Sequence, residues 1–119
     1  MKASEIILKY PNLFGEPPFN PMQTLIGFGF DCGVGWHPIL EELFQKMDKL
    51  QKEQEFEIKV TQVKEKFGGL RVYVDGATDD VYKLINEAED KASKTCEVCG
   101  QPGTLQRDGW YAVRCEEHK

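Results

Sequence analysis

Cys96-Glu-Val-Cys99-Gly-Gln-Pro-Gly103, followed after a gap by Arg114-Cys115-Glu-Glu-His118, is the stretch that decides how this chain is built. Cys96 and Cys99 are separated by two residues, fifteen more lead to Cys115, and two more to His118. That is the spacing of a structural zinc site. A two-residue spacer lets one tight turn aim both thiols at one ion, and the gap suits a hairpin that returns the second pair to the first. Four Cys and His ligands complete a tetrahedron with no open position, so one Zn²⁺ held there serves structure and performs no chemistry. Iron or an iron–sulfur cluster is the alternative, because ligand softness alone does not separate the metals.

The surrounding residues agree with a zinc-ribbon or zinc-knuckle lobe over residues 96–118. Gly100 stands where a knuckle turn needs a positive φ, and Pro102-Gly103 supplies a second turn. Thr104 to Gln106 and Trp110 to Arg114 read as short strands joined through Arg107-Asp108-Gly109. A disulfide pairing leaves His118 without a role and needs an oxidising compartment that nothing in the chain marks. A thioredoxin-like pair needs a strand-helix-strand setting, which is missing around Cys96 and Cys99.

Working outward, the 119 residues read as a single α+β domain, 1–119, of which the metal lobe is an integral part. Ser4 is placed to cap a helix carrying Ile6, Ile7, Leu8 and Tyr10, which Pro11 would stop. Residues 15–21 read as an extended connection, and Thr24 to Phe30 as a strand interrupted by glycines. Pro38 fits the first turn of a helix with His37 as its cap. Ile39, Leu40, Leu43, Phe44, Met47 and Leu50 repeat at helical spacing along one face, with Glu42–Lys46 and Asp48–Lys52 on the other.

Phe56, Ile58 and Val60, then Leu70, Val72 and Val74, alternate with polar neighbours on either side of Lys66-Phe67-Gly68-Gly69. This pattern predicts a small antiparallel sheet with one buried face. Thr78 can cap a further amphipathic helix whose stripe is Val81, Leu84, Ile85, Ala88 and Ala92, ending almost directly at Cys96.

Composition bounds the function. Hydrophobic content of 40% and charged content of 29% suit a globular chain. Charges at Lys2, Glu5 and Lys9 interrupt any signal-peptide core, no run approaches membrane-spanning length, and a cytoplasmic location is expected. A net charge of −5 counts against general affinity for nucleic acid. The bases are unevenly placed, however: residues 59–74 carry Lys59, Lys64, Lys66 and Arg71 against Glu65, a local +3, with Phe67 and Tyr73 among them. These six side chains form the candidate interaction surface, with Phe67 as a turn aromatic that either packs or projects. The lobe from Cys96 onward sums to −1 before the metal is counted.

Other motifs carry less. Cys32 and His37 lack two further ligands nearby, which favours a buried thiol and a helix-end imidazole over a second metal site. Gly27, Gly29, Gly33 and Gly35 precede a helix, but their spacing fits neither dinucleotide nor Walker patterns, leaving a packing turn anchored by Trp36 as the simpler reading. Carboxylates at Glu41, Glu42, Glu87, Glu89 and Asp90 fall on helix faces as solvated charge.

The segments Phe30-Asp-Cys-Gly-Val-Gly-Trp36, Gln62-Val-Lys-Glu-Lys-Phe-Gly-Gly-Leu-Arg71 and Cys96-Glu-Val-Cys-Gly-Gln-Pro-Gly103, with Gly109-Trp110 and Cys115-x2-His118, resemble a family of small phage- and prophage-encoded zinc-binding proteins without an assigned activity. The likeness spans residues 28–118. It implies the ligands Cys96, Cys99, Cys115 and His118, a bacterial-host cytoplasm and no catalytic residues. The leading expectation is a non-enzymatic protein-interaction module, with host takeover or anti-defence as its use and a host protein as its partner. A nucleic-acid binder using residues 59–74 is the first alternative, and an enzyme with a site near residues 32–37 the second.

Overall fold

The computed structural model describes residues 2–119 and has an α+β architecture. In chain order come α1 (Ala3–Lys9), α2 (Pro11–Phe14), α3 (His37–Gln54), the hairpin β1 (Lys59–Lys66) and β2 (Gly69–Asp75), α4 (Asp79–Ala92), and a second hairpin of β3 (Thr104–Gln106) and β4 (Ala112–Arg114). The strands thus form two separate two-stranded antiparallel sheets. No described helix is long and apolar enough to cross a membrane.

The apolar repeat of α3 does what its spacing requires. Leu40, Leu43, Phe44 and Met47 are buried together with Ile6 and Leu13 of the N-terminal helices, Val60, Val63 and Leu70 of the first hairpin, and Val81 and Ile85 of α4. Phe14 meets Phe44 edge-on with ring centroids 4.9 Å apart, a favoured aromatic geometry. On the wet side the expected pairs form, Lys46–Glu42 and Lys52–Asp48, each at 2.9 Å. At the end of α3, Glu55 adopts a left-handed conformation with φ 53° and donates its N–H to Gln51. Gln51 is itself buried, and its Oε1 accepts the Ile58 N–H at 3.1 Å, so the amide fastens the helix end to the entry of β1.

Several local expectations differ from the structure. Pro11 opens α2, because a proline lacking its N–H is tolerated at a first helical position. Lys2, and not Ser4, occupies the cap position of α1. Residues 24–30 form no strand: a 3₁₀ turn spans Ile26–Phe28 and Gly29, at φ 80°, turns the chain away from extended geometry. Asp31 then bonds to β1 through its backbone, donating to Val63 O at 2.9 Å and accepting from Glu65 N at 2.8 Å. That bridge covers an edge of β1 that would otherwise be open. Trp36 takes the cap position expected of His37, which is the first residue of α3 and presents its ring edge-on to Phe30 at 5.7 Å. Thr78 sits at the N-cap of α4 as expected, but its hydroxyl makes no bond to the helix.

Candidate metal centre and hairpin face

The turn after α4 builds half of the centre. Gly100, at φ 84°, lets its N–H return to Cys96 O at 2.9 Å, while Cys96 N donates to Gln101 O at 2.7 Å. Two backbone bonds therefore hold the Cys96–Cys99 spacer in one conformation. The other half arrives on β4, where Cys115 follows Arg114 and His118 turns back so that its N–H meets Cys115 O at 3.1 Å. β3 and β4 pair in the register Thr104–Arg114, Leu105–Val113 and Gln106–Ala112, shorter at its N-terminal end than the Trp110 to Arg114 strand read from sequence.

The result is a cluster whose four donor atoms lie within 4.8 Å of one another. Cys99 Sγ is 3.6 Å from Cys115 Sγ, and Cys96 Sγ is 3.7 Å from His118 Nδ1. Cys115 Sγ and His118 Nδ1 are 3.1 Å apart, and the range from there to 4.8 Å brackets the edges of about 3.8 Å of a tetrahedral ion with metal–sulfur bonds of zinc length, so the four donors could hold a metal ion. Burial pushes the Cys96 thiol up, but backbone N–H groups of Cys115, Cys99 and Val98 donate to it and bring it down to about 6. A thiolate is the form a metal requires.

The glycine-rich loop read from the sequence proves to be the seat of this lobe. Gly33 N donates to Glu97 Oε2 and Gly35 N to the Glu97 carbonyl, both at 2.8 Å. Trp36 is wholly buried, and its indole N–H reaches Thr95 O at 2.9 Å. A Cβ on Gly35 would run into the Cys96 carbonyl and the Gly100 amide, which leaves glycine as the residue that lets the two backbones touch. With the Gly33 and Gly35 amides engaged, the anion-loop reading of residues 27–35 loses its donors. Glu97, unassigned in the sequence, is the hub: its other carboxylate oxygen pairs with Arg114 at 3.3 Å and its N–H bonds to Val113 O. The clue was there, since a carboxylate placed between two thiols spaced as metal ligands is repulsive unless something holds it.

Cys32 and His37 join no third donor among the described residues. Burial, with the carboxylates of Glu97, Asp31 and Glu65 nearby, pushes the Cys32 thiol up to about 12. At pH 8 its thiolate fraction is then about one in ten thousand. Peptide mapping after iodoacetamide at pH 8 should find Cys32 unmodified in the folded protein and modified after denaturation; prompt labelling of the native chain would contradict this environment.

The candidate interaction residues divide. In the hairpin register Lys64 faces Arg71 and Gln62 faces Tyr73, so these side chains share the outward face, with Lys66 next along the strand. Lys59 lies opposite Asp75, beyond a bulge at the far end of β1, about 20 Å from the turn. Phe67 projects: it is 74% exposed and sits at φ 53°, followed by Gly68 at φ 83°. Such a pair of positive φ values makes a tight hairpin turn in which Asn or Gly is the comfortable first residue and Phe is strained. Gly68 packs on the second hairpin, where a Cβ would strike Leu105. This contact brings in two aromatics that the sequence reading left out of the surface. Trp110 is 87% exposed, and with Tyr111 it faces Phe67 and Lys66 across a cleft of about 490 Å³ that Glu65 and Gly109 complete. Trp110 could have been noticed in the sequence as a large aromatic beside a hairpin glycine, where the turn has no core to fill.

Comparison of the chain with protein-family models, with curated proteins and with solved structures finds no match.

Proposed function

We propose that this chain is a zinc-stabilised binding module of phage or prophage type, non-enzymatic, acting on a host macromolecule in the bacterial cytoplasm through the joint face of its two hairpins. The observation that carries the reading is the cleft between Phe67 and Trp110–Tyr111, where exposed aromatics from separate hairpins meet and one of them is held in a strained turn. Strain in a tight turn costs on the order of 1–3 kcal/mol, and the exposed Phe67 ring recovers none of it by burial in the core. Cys96, Cys99, Cys115 and His118 hold the zinc. A full tetrahedron leaves it a structural task, fixing the β3–β4 hairpin and hence the position of Trp110.

Cross-linked capture from bacterial lysate, using the intact zinc-loaded chain beside its Phe67→Ala/Trp110→Ala variant, tests the working face. Both side chains are exposed, so the variant should keep its metal and an unfolding free energy within about 1 kcal/mol of the parent's. The macromolecules recovered by the parent should be missing from the variant. Identical recoveries by both would rule out this face.

A further inference from the structure

We propose that the cleft between the hairpins holds unstacked bases of single-stranded nucleic acid, while Lys64, Lys66 and Arg71 meet its phosphates. This rests on the joint face being the working surface, and it names that surface's ligand. A net charge of −5 argues against phosphate binding only if charge is spread evenly, and the structure shows that it is not. Most other bases are matched: Lys9 pairs with Glu41, Lys46 and Lys91 with Glu42, Lys49 with Glu53, Lys52 with Asp48, Lys94 with Asp90, Arg114 with Glu97 and Lys119 with Glu116. Among the described residues, Lys64, Lys66 and Arg71 make no direct ion pair, although Asp31 bridges to Lys64 through the backbone, Glu65 lies between the two lysines, and Arg71, whose guanidinium donates to Leu70 O at 3.1 Å, is near enough to the Glu89 carboxyl of α4 to act on it. The Glu65 carboxylate lines the cleft as well, but it is turned onto the Gly68 N–H, which it accepts at 2.6 Å, and the three bases outnumber it.

Lys64 and Arg71 also stand directly opposite one another on the exposed face. Like charges in that relation destabilise a hairpin, and an anion laid across them removes the penalty. Beside them are four exposed aromatic rings, Phe67, Tyr73, Trp110 and Tyr111, with Lys66 over the Phe67 ring and Lys64 over that of Tyr73. Aromatic faces interleaved with cations are the two requirements of single-strand binding, in which bases stack and phosphates are neutralised. An acidic protein segment would use the cations but would leave flat, open rings poorly filled. Duplex DNA offers its phosphates but keeps its bases out of reach.

Trp36 is buried and Trp110 exposed, so intrinsic fluorescence reports on the cleft. Titrating the zinc-loaded chain with oligothymidylate of about ten nucleotides should quench Trp110 saturably. Three neutralised phosphates predict a roughly twentyfold loss of affinity between 50 and 200 mM salt. Phe67→Ala should weaken binding by about five- to a hundredfold through lost stacking, and Lys64→Glu/Lys66→Glu should remove it with zinc content unchanged. Duplex of equal length should bind far more weakly. Absent or salt-independent quenching, or equal binding of duplex or polyglutamate, overturns the proposal. If the oligonucleotide fails while capture from lysate still depends on Phe67 and Trp110, the partner is a protein and the working-face reading survives. If both fail, both fall.

Discussion

Replacing Cys115 by Ser should yield a chain that holds no stoichiometric zinc and whose C-terminal lobe is unfolded. The hairpin of the lobe has little else of its own to hold it: β3 and β4 are three residues each, and of their side chains only Val113 is buried in the core. A two-stranded hairpin of that size is not stable by itself in water. With a metal held by these four residues, binding and folding would be one process, as they are wherever the site is absent from the unfolded chain. Loss of a metal belongs to the small set of changes costing upward of about 4 kcal/mol, which in a chain of this size lowers the melting temperature by roughly 15 °C. The effect should also reach the first residues of α3, because Gly33, Gly35 and Trp36 hydrogen-bond to Glu97 and Thr95 at the root of the metal turn. Elemental analysis and thermal melts of parent and Cys115→Ser would check this. Unchanged zinc and unchanged melting would remove Cys115 from the ligand set, and stoichiometric iron in the parent would replace zinc as the metal.

What was legible in the sequence follows from which interactions are local. The stripes of α3 and α4, the alternation of β1 and β2, the Gly100 turn and the convergence of Cys96, Cys99, Cys115 and His118 all depend on spacing along the chain, and spacing can be read directly. The strand expected at residues 24–30 failed because the apolar content there is outweighed by its glycines: the chain turns through a 3₁₀ helix over Ile26–Phe28 and Gly29 ends it at φ 80°, a conformation that extended pairing does not use. A limit of range hid the use of Gly33 and Gly35. Their amides are bound by a residue 62 or more positions away, and no window on the sequence contains both ends of that contact. The surface was read in half for this reason too. Lys64, Lys66, Phe67, Arg71 and Tyr73 belong to one hairpin, whereas Trp110 and Tyr111 join them only through the packing of Gly68 on Leu105.

Trp36→Ala should be the most damaging single change outside the metal ligands, and its comparison with Trp36→Phe separates two causes. The indole is wholly buried at the start of α3 and bridges the hydrophobic core to the metal lobe through its bond to Thr95 O. Truncation to Ala removes a large ring from a close-packed core, at about 3–5 kcal/mol, and leaves the Thr95 carbonyl without that donor. Phe restores much of the bulk but not the N–H, so its cost should be nearer 1–3 kcal/mol, the range for one orphaned buried polar group. Chemical denaturation of both variants measures the difference. Both should retain zinc under native conditions, because none of the four donors is touched, and this is where they part from Cys115→Ser. A third variant, Gly35→Ala, tests the seat from the other side: its methyl would press on the backbone of Cys96 and Gly100, neither of which can rotate away, and strain of about 1–3 kcal/mol should appear as a lobe loosened from the core with its metal still bound. If Trp36→Ala and Gly35→Ala melt like the parent, the lobe is not seated on this loop, and the zinc would then fix the hairpin's own shape without fixing the distance between Trp110 and Phe67.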